Sequence, residues 1–98
     1  MNKQLPCTDQ QIRDLVSKFP TPFHLYDEKG ILATCQKLNQ AFNWNKGFRN
    51  YFAVKALPNP KILELVMHSG MGLDCSSLTE LMLAERVGAK NQDIMFSF

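Results

Sequence analysis

A lysine and an aspartate near the ends of two successive apolar runs are the residues best suited to chemistry. Lys55 ends the run 51–55, and Asp74 lies in the run 71–75. A lysine amine in apolar surroundings can act as a nucleophile and form a Schiff base with an aldehyde or ketone. Asp74 is expected at the same edge of the predicted sheet as Lys55. The alternatives are a solvated lysine and an aspartate that stabilises the dipole of the next helix.

Both residues are predicted at the carboxyl ends of parallel strands. Side chains alternate along a strand, so Tyr51, Ala53 and Lys55 share one face, and Gly72 and Asp74 share a face of the next strand. Each face then carries a small residue below a polar one. Active sites of parallel α/β proteins are built at this end of the sheet, which makes Lys55 a candidate catalytic residue.

The rest of the sequence alternates helix and strand. Capping boxes begin two helices, at Thr8 and at Ser77, and Asn59 caps a third. An apolar stripe from Ile31 to Phe42 indicates another helix. The predicted helices cover 9–19 and 31–42, then run from Pro60 up to Gly70 and from Ser77 up to Gly88; the predicted strands cover 23–26, 51–55, 71–75 and 93–98.

The composition is typical of a globular protein. The chain has 98 residues, of which 45% are hydrophobic and 20% charged, and its net charge of +2 is not concentrated in a basic patch. We therefore expect no nucleic-acid partner. No apolar run approaches the ~20 residues of a membrane span, and no signal-peptide core is present, so we expect no membrane association and a cytoplasmic location. Cys7, Cys35 and Cys75 form no C-x-x-C pair, which favours reduced thiols and no metal site.

A parallel sheet needs helices on both faces or closure into a barrel, and three strands supply neither. We therefore expect an α/β fold in which these residues form the N-terminal part of a TIM (β/α)8 barrel, a fold of about 250 residues. A complete small interaction domain is the alternative, which the open apolar strand edges disfavour.

Four segments in order give the chain a family resemblance. They are Thr21–Asp27, Tyr51–Ala56, Gly72–Leu81 and Asp93–Ser97. The chain resembles the fold-type III pyridoxal-phosphate decarboxylases, and among them the diaminopimelate decarboxylases. The resemblance implies an alanine-racemase-like barrel of which about three of eight parallel strands are present.

The resemblance also implies a domain organisation. Residues 27–98 would be the first βα units of the cofactor-binding barrel. Residues 1–26 would be a helix and a strand, and the strand would join a C-terminal β domain of the full protein.

The cofactor implied by the resemblance is pyridoxal 5'-phosphate, bound covalently by Lys55. Ala53 and Asp74 would lie in the cofactor-binding site, with Glu80 behind them. The residues themselves favour a capping role for Glu80, together with Ser77. The implied reaction is decarboxylation of meso-2,6-diaminopimelate to L-lysine by a homodimer, and residues 1–98 alone would be inactive.

Other functions on the same barrel stay open. Ornithine, arginine and carboxynorspermidine decarboxylases differ in substrate, and alanine racemases are more distant. A non-catalytic pyridoxal-phosphate-binding homeostasis protein would share the cofactor but not the reaction.

Overall fold

Helices alternate with short parallel strands in the computed structural model, which describes residues 3–98. The three strands form one sheet in the order β1-β2-β3, so each strand lies beside the next one along the chain. The elements are α1 (Asp9–Lys18), α2 (Glu28–Ala41), β1 (Tyr51–Ala53), α3 (Pro60–His68), β2 (Gly72–Cys75), α4 (Leu78–Arg86) and β3 (Ile94–Phe96). Over residues 3–98, no helix combines the length and the apolar character needed to cross a membrane.

Three helices begin at the predicted caps. Thr8 and Gln11 form the capping box of α1, with bonds of 3.2 Å and 2.8 Å between side chain and backbone. Asn59 Oδ1 accepts a backbone N–H of the first turn of α3 at 3.0 Å. Ser77 Oγ accepts the backbone N–H of Glu80 at 3.2 Å at the start of α4. These bonds satisfy donors that a helix start otherwise leaves without partners.

The predicted strand over 23–26 is wrong for the described chain. These residues adopt no regular secondary structure, and Phe23, Leu25 and Tyr26 are exposed. A strand forms only against a partner edge that completes its backbone hydrogen bonds, and this segment pairs with neither open edge of the sheet, β1 or β3. By contrast, α2 begins earlier than predicted, at Glu28, because its polar first turn precedes the apolar stripe.

β1 is also shorter than predicted. It ends at Ala53, and Val54–Ala56 form a single 3-10 turn in which the Leu57 N–H donates to the Val54 carbonyl at 3.1 Å. Lys55 therefore lies two residues beyond the end of the strand and not within it. The reason is that the chain must turn towards α3 at once, and Val54, which is fully buried, anchors that turn in the core.

The sheet holds the site residues in register. Ala53 lies opposite Asp74, and Asp74 lies opposite Met95 on the third strand. Behind the sheet, a buried cluster packs β2 against α3 and α4, and a second cluster packs α2 against α3. The first cluster is Val54, Leu63, Leu73, Cys75, Ala84 and Ala89, and the second is Cys35, Ile62, Leu65, Val66 and Met71.

Arg49 connects the amino ends of the three strands. Its guanidinium donates to the carbonyl oxygens of Gly70 and Gln92, each at 3.1 Å, and pairs with the Asp93 carboxylate at 2.9 Å. The Tyr51 ring lies 5.4 Å from the guanidinium carbon. The pKa of Asp93 is lowered and the pKa of Arg49 is raised, and the hydrogen bond between the two side chains is the main cause of both shifts. We define these four side-chain and backbone partners with Arg49 as the Arg49 cluster.

Gly72 is required by a close approach between strands. A Cβ atom at this position would overlap the Tyr51 ring and would lie 2.7 Å from the Asp93 carbonyl oxygen. The space beside Gly72 is thus filled by an aromatic ring at the amino end of the sheet. The absence of a side chain at Gly72 therefore does not enlarge the space around Asp74.

Candidate functional site

One shallow cavity lies at the carboxyl ends of the strands. Its volume is about 200 Å³, and its lining combines an amine, a carboxylate and two hydroxyl groups with a small and an aromatic side chain. The lining residues are Ala53, Lys55, Asp74, Ser76, Ser97 and Phe98. The structure therefore brings together three of the predicted site residues, whereas Glu80 lies outside the lining.

A larger hollow lies on the other side of the sheet. It has a volume of about 480 Å³, and its walls come mainly from apolar residues of α2, α3 and β1. It contains no lysine that could bind a carbonyl compound. We therefore place the candidate site in the smaller cavity, where the reactive groups converge.

Lys55 reaches the cavity from the 3-10 turn after β1. Its side chain is exposed, although the preceding Val54 is fully buried. Ala53 precedes the turn and takes little space in the cavity wall. Within residues 3–98, Lys55 forms no ion pair. The amine is thus accessible, while the backbone that carries it is anchored in the core.

The Asp74 carboxylate is held by the next strand. Ser97 Oγ donates a hydrogen bond of 2.6 Å to Asp74 Oδ1. The Ser97 backbone N–H donates to the Cys75 carbonyl at 2.9 Å, so the ladder between β2 and β3 continues as far as this residue. Sequence reasoning missed Ser97. Strand alternation could have found it, because it places Ser97 on the face of Met95, the register partner of Asp74.

Glu80 lies behind the cavity in the first turn of α4. Its Oε2 atom accepts hydrogen bonds from Ser77 Oγ at 2.7 Å and from Ser76 Oγ at 2.9 Å. The Ser77 bond is the main cause that lowers the pKa of Glu80; Ser76 and the charge of Lys55 add to it, and partial burial opposes them. The other oxygen, Oε1, is buried without a hydrogen-bond partner in the described chain. The Ser77 cap is confirmed. The Glu80 carboxylate does not complete a capping box, because it accepts hydrogen bonds from the two serine hydroxyl groups and not from the Ser77 backbone N–H.

Cys75 adjoins the site but is not a nucleophile. Its side chain is fully buried at the end of β2. Burial is the main cause that raises the pKa of the thiol, and the charges of Glu80 and Asp74 raise it further. Since the thiolate is the reactive form of cysteine, the burial of Cys75 and the neighbouring carboxylates make it a poor nucleophile.

Known proteins resemble this chain in sequence and in fold. Residues 28–98 match the family described as "Pyridoxal-dependent decarboxylase, pyridoxal binding domain". Protein TabA of Pseudomonas amygdali pv. tabaci is 56% identical over 84 residues, which are 86% of this chain and 20% of that protein. Diaminopimelate decarboxylase of Bacteroides thetaiotaomicron is 39% identical over 77 residues, which are 79% of this chain and 20% of that enzyme.

A solved structure shares the fold. The crystal structure of ornithine decarboxylase from Entamoeba histolytica matches with a TM-score of 0.75 and 27% identity, over 89% of this chain and 28% of that one. This match confirms the predicted α/β fold, the N-terminal part of an alanine-racemase-like TIM barrel. The chain spans about a fifth of the length of the curated relatives named above.

The family match also confirms pyridoxal 5'-phosphate as the cofactor. The cavity fits one side of a site for it, since Lys55 offers an amine for the aldehyde, Ala53 leaves space, and Ser76 and Ser97 present hydroxyl groups. Pockets that enclose a small-molecule ligand usually measure ~300–1,000 Å³. The cavity of about 200 Å³ is smaller, so these residues would supply only one wall of such a site.

Proposed function

This chain belongs to the pyridoxal-dependent decarboxylases, and on that premise we propose that its protein decarboxylates an amino acid, with Lys55 as the covalent attachment point of the cofactor. The observation that carries the proposal is the convergence of Lys55, Ala53 and Asp74 on one cavity inside the matched region 28–98. When bound, pyridoxal phosphate supplies the electron sink for the carbanion that forms as carbon dioxide leaves.

The residues of this chain have separate roles in the proposal. The Lys55 amine would hold the cofactor through its aldehyde group. The Asp74 carboxylate, which lines the same cavity, stabilises the positive charge of the amine when it is free. Glu80 acts behind the wall, because it accepts the hydrogen bond of Ser76, a lining residue.

We propose meso-2,6-diaminopimelate as the substrate and L-lysine with carbon dioxide as the products. Support comes from the names of the relatives: diaminopimelate decarboxylases of Bacteroides thetaiotaomicron and Deinococcus radiodurans are 39% and 33% identical to this chain. Ornithine is the second candidate, because the structural match is an ornithine decarboxylase at 27% identity.

The wider organisation is part of the same proposal. We propose that the protein is a cytoplasmic homodimer and that residues 27–98 form the first βα units of the barrel. Residues 1–26 would contact a C-terminal β domain. In support, the apolar side chains of Phe23, Leu25 and Tyr26 are exposed in the described chain and available to such a partner surface.

The attachment of the cofactor is tested by reduction and peptide mapping. The protein as its gene encodes it is incubated with pyridoxal phosphate and then with borohydride, which fixes the pyridoxyl group to the lysine that bound it. We expect the label on Lys55, its loss in Lys55→Ala, and its retention in Lys61→Ala. Lys61 is a suitable control because it is an exposed lysine on α3 that lies outside the cavity. A label on another lysine contradicts the proposal.

The substrate is tested with a panel of amino acids. Release of carbon dioxide and the amine product is measured with meso-2,6-diaminopimelate, ornithine, arginine and carboxynorspermidine, and we expect diaminopimelate to give the highest kcat/KM. A preference for ornithine would support the second candidate. Labelling of Lys55 without turnover of any of the four would favour a non-catalytic cofactor-binding protein.

A further inference from the structure

We propose that Ser97 is a positioning residue, which fixes the Asp74 carboxylate and thereby strengthens retention of the cofactor at Lys55. The inference rests on the proposed function of Lys55, but it concerns a residue on a different strand. Ser97 and Asp74 both line the cavity into which Lys55 projects.

The contact between the two side chains is short and directional. Ser97 Oγ lies 2.6 Å from Asp74 Oδ1, in the range of hydrogen bonds from a hydroxyl group to a charged carboxylate. Such bonds are stronger than those between neutral groups. The serine itself is held in place, because its backbone N–H is bonded to the Cys75 carbonyl at 2.9 Å. A fixed donor therefore selects one orientation of the carboxylate.

The register explains why Ser97 can act on Asp74. Asp74 pairs with Met95, and Ser97 follows two residues later on the same face of the sheet. The Asp74 backbone alone leaves the side chain a choice of rotamers. Since Ser97 engages Oδ1 and the described chain offers Oδ2 no hydrogen bond, the second oxygen is available to a cationic group in the cavity.

The experiment measures cofactor retention without measuring turnover. The natural protein is incubated with increasing pyridoxal phosphate, reduced with borohydride, and the labelled fraction of the Lys55 peptide is determined. We expect Ser97→Ala to raise the half-saturating concentration about tenfold, the effect of losing one hydrogen bond to a charged group. Ser97→Thr keeps the hydroxyl group and should stay within about twofold of the wild type.

A double-mutant cycle separates positioning from a merely structural role. If Ser97 acts through the carboxylate, adding Ser97→Ala to Asp74→Ala should cause no further change in half-saturation. If Ser97 only supports the strand, its effect should persist when Asp74 is absent. Ser17→Ala is the control for loss of a serine hydroxyl, since Ser17 bonds to the Asp14 carbonyl on α1, outside the cavity.

Each outcome decides the inference. Normal labelling of Lys55 with an unchanged half-saturation in Ser97→Ala overturns the role of Ser97 alone. An additive double mutant overturns it as well. Absence of the label from Lys55 in the wild type overturns the inference together with the proposed function. A tenfold effect that disappears in the Asp74→Ala background, with rescue by Ser97→Thr, supports it.

Discussion

Two adjacent residues after β1 have different roles, one in the core and one in the cavity. Val54 is fully buried and belongs to the core cluster behind the sheet, whereas Lys55 is exposed and lines the cavity. The 3-10 turn directs consecutive side chains into these different surroundings. The amine is thereby carried by a rigid backbone without being part of the core itself.

We expect substitutions at these two positions to have opposite effects. Val54→Ala leaves a cavity in the core and should lower the free energy of unfolding by about 2 kcal/mol, while the label on Lys55 is retained under native conditions. Lys55→Ala should change the free energy of unfolding by no more than about 0.5 kcal/mol and should abolish the label. Urea unfolding and peptide mapping measure the two effects. A strongly destabilised Lys55→Ala would contradict this division.

Glu80 makes the stability depend on pH. Its hydrogen bonds to Ser77 and Ser76 lower its pKa below the ordinary value of 4.5, so the folded state favours the charged form. The resulting stabilisation is fully present above pH 4.5 and is lost as the pH falls through the lowered pKa. We expect Glu80→Gln to reduce the free energy of unfolding above pH 4.5 and to approach the wild type once the pH has fallen below the lowered pKa of Glu80.

Urea unfolding at several pH values checks the Glu80 prediction. Glu64→Gln is the matched control, because the Glu64 side chain on α3 is 42% exposed and its described ion pair, with Lys61, is long at 3.9 Å. Such surface pairs contribute little to stability. A difference between wild type and Glu80→Gln that stays constant as the pH falls from above 4.5 to the onset of acid unfolding would rule out the charged form as its source.

At the scale of elements, the packing of β1 against β2 depends on a glycine, Gly72, at a close approach between the two strands. Gly72→Ala would place a Cβ atom against the Tyr51 ring and 2.7 Å from the Asp93 carbonyl oxygen. We expect a loss of about 1–3 kcal/mol in the free energy of unfolding, as for overpacked sites. Gly47→Ala is the control, because the nearest atom to its Cβ would be Asn45 Oδ1 at 3.8 Å. Equal melting temperatures for the two variants would contradict the prediction.

The sequence predicts local features of these elements better than contacts between them. The caps at Thr8, Asn59 and Ser77 follow from residue types a few positions apart, and the structure contains all three. Lys55 and Asp74 reach one cavity because strand ends of a parallel sheet meet at one edge. A cap is thus readable from a few neighbouring residues.

Features that depend on distant partners were missed. The bond of Ser97 to Asp74 and the bonds of Arg49 depend on the register between strands, which no short segment specifies. The strand expected over 23–26 failed for the same reason, because its formation depends on a partner edge. Val54–Ala56 illustrate a further case: propensity favours a strand, but the position of α3 imposes a turn.

At the scale of the whole molecule, the sheet of the described chain has two edge strands, β1 and β3, of which β3 is the more apolar and the more exposed. In the described chain it pairs with β2 on one side only, and Met95 and Phe96 are each about half exposed. Unpaired apolar strand edges favour association with other chains. An intact barrel would remove this edge by closure.

We therefore expect residues 1–98, when expressed alone, to self-associate and to bind pyridoxal phosphate without saturation. Analytical ultracentrifugation should show a mass that rises with concentration, and Met95→Lys should reduce that rise because a charge opposes edge pairing. Val16→Lys, which places the same charge on an exposed site of α1, should have a smaller effect. A monodisperse monomer with saturable micromolar binding would contradict both expectations.

The Arg49 cluster has a consequence for the lifetime of the folded state. Its ion pair joins Arg49 to Asp93, residues 44 positions apart, so we expect it to form late in folding, once the intervening βα units have docked. Interactions that form after the rate-limiting step of folding act mainly on the unfolding rate. Arg49 at the amino ends of the strands would therefore slow the opening of the sheet and extend the time for which Lys55 and Asp74, at the opposite end, line one cavity.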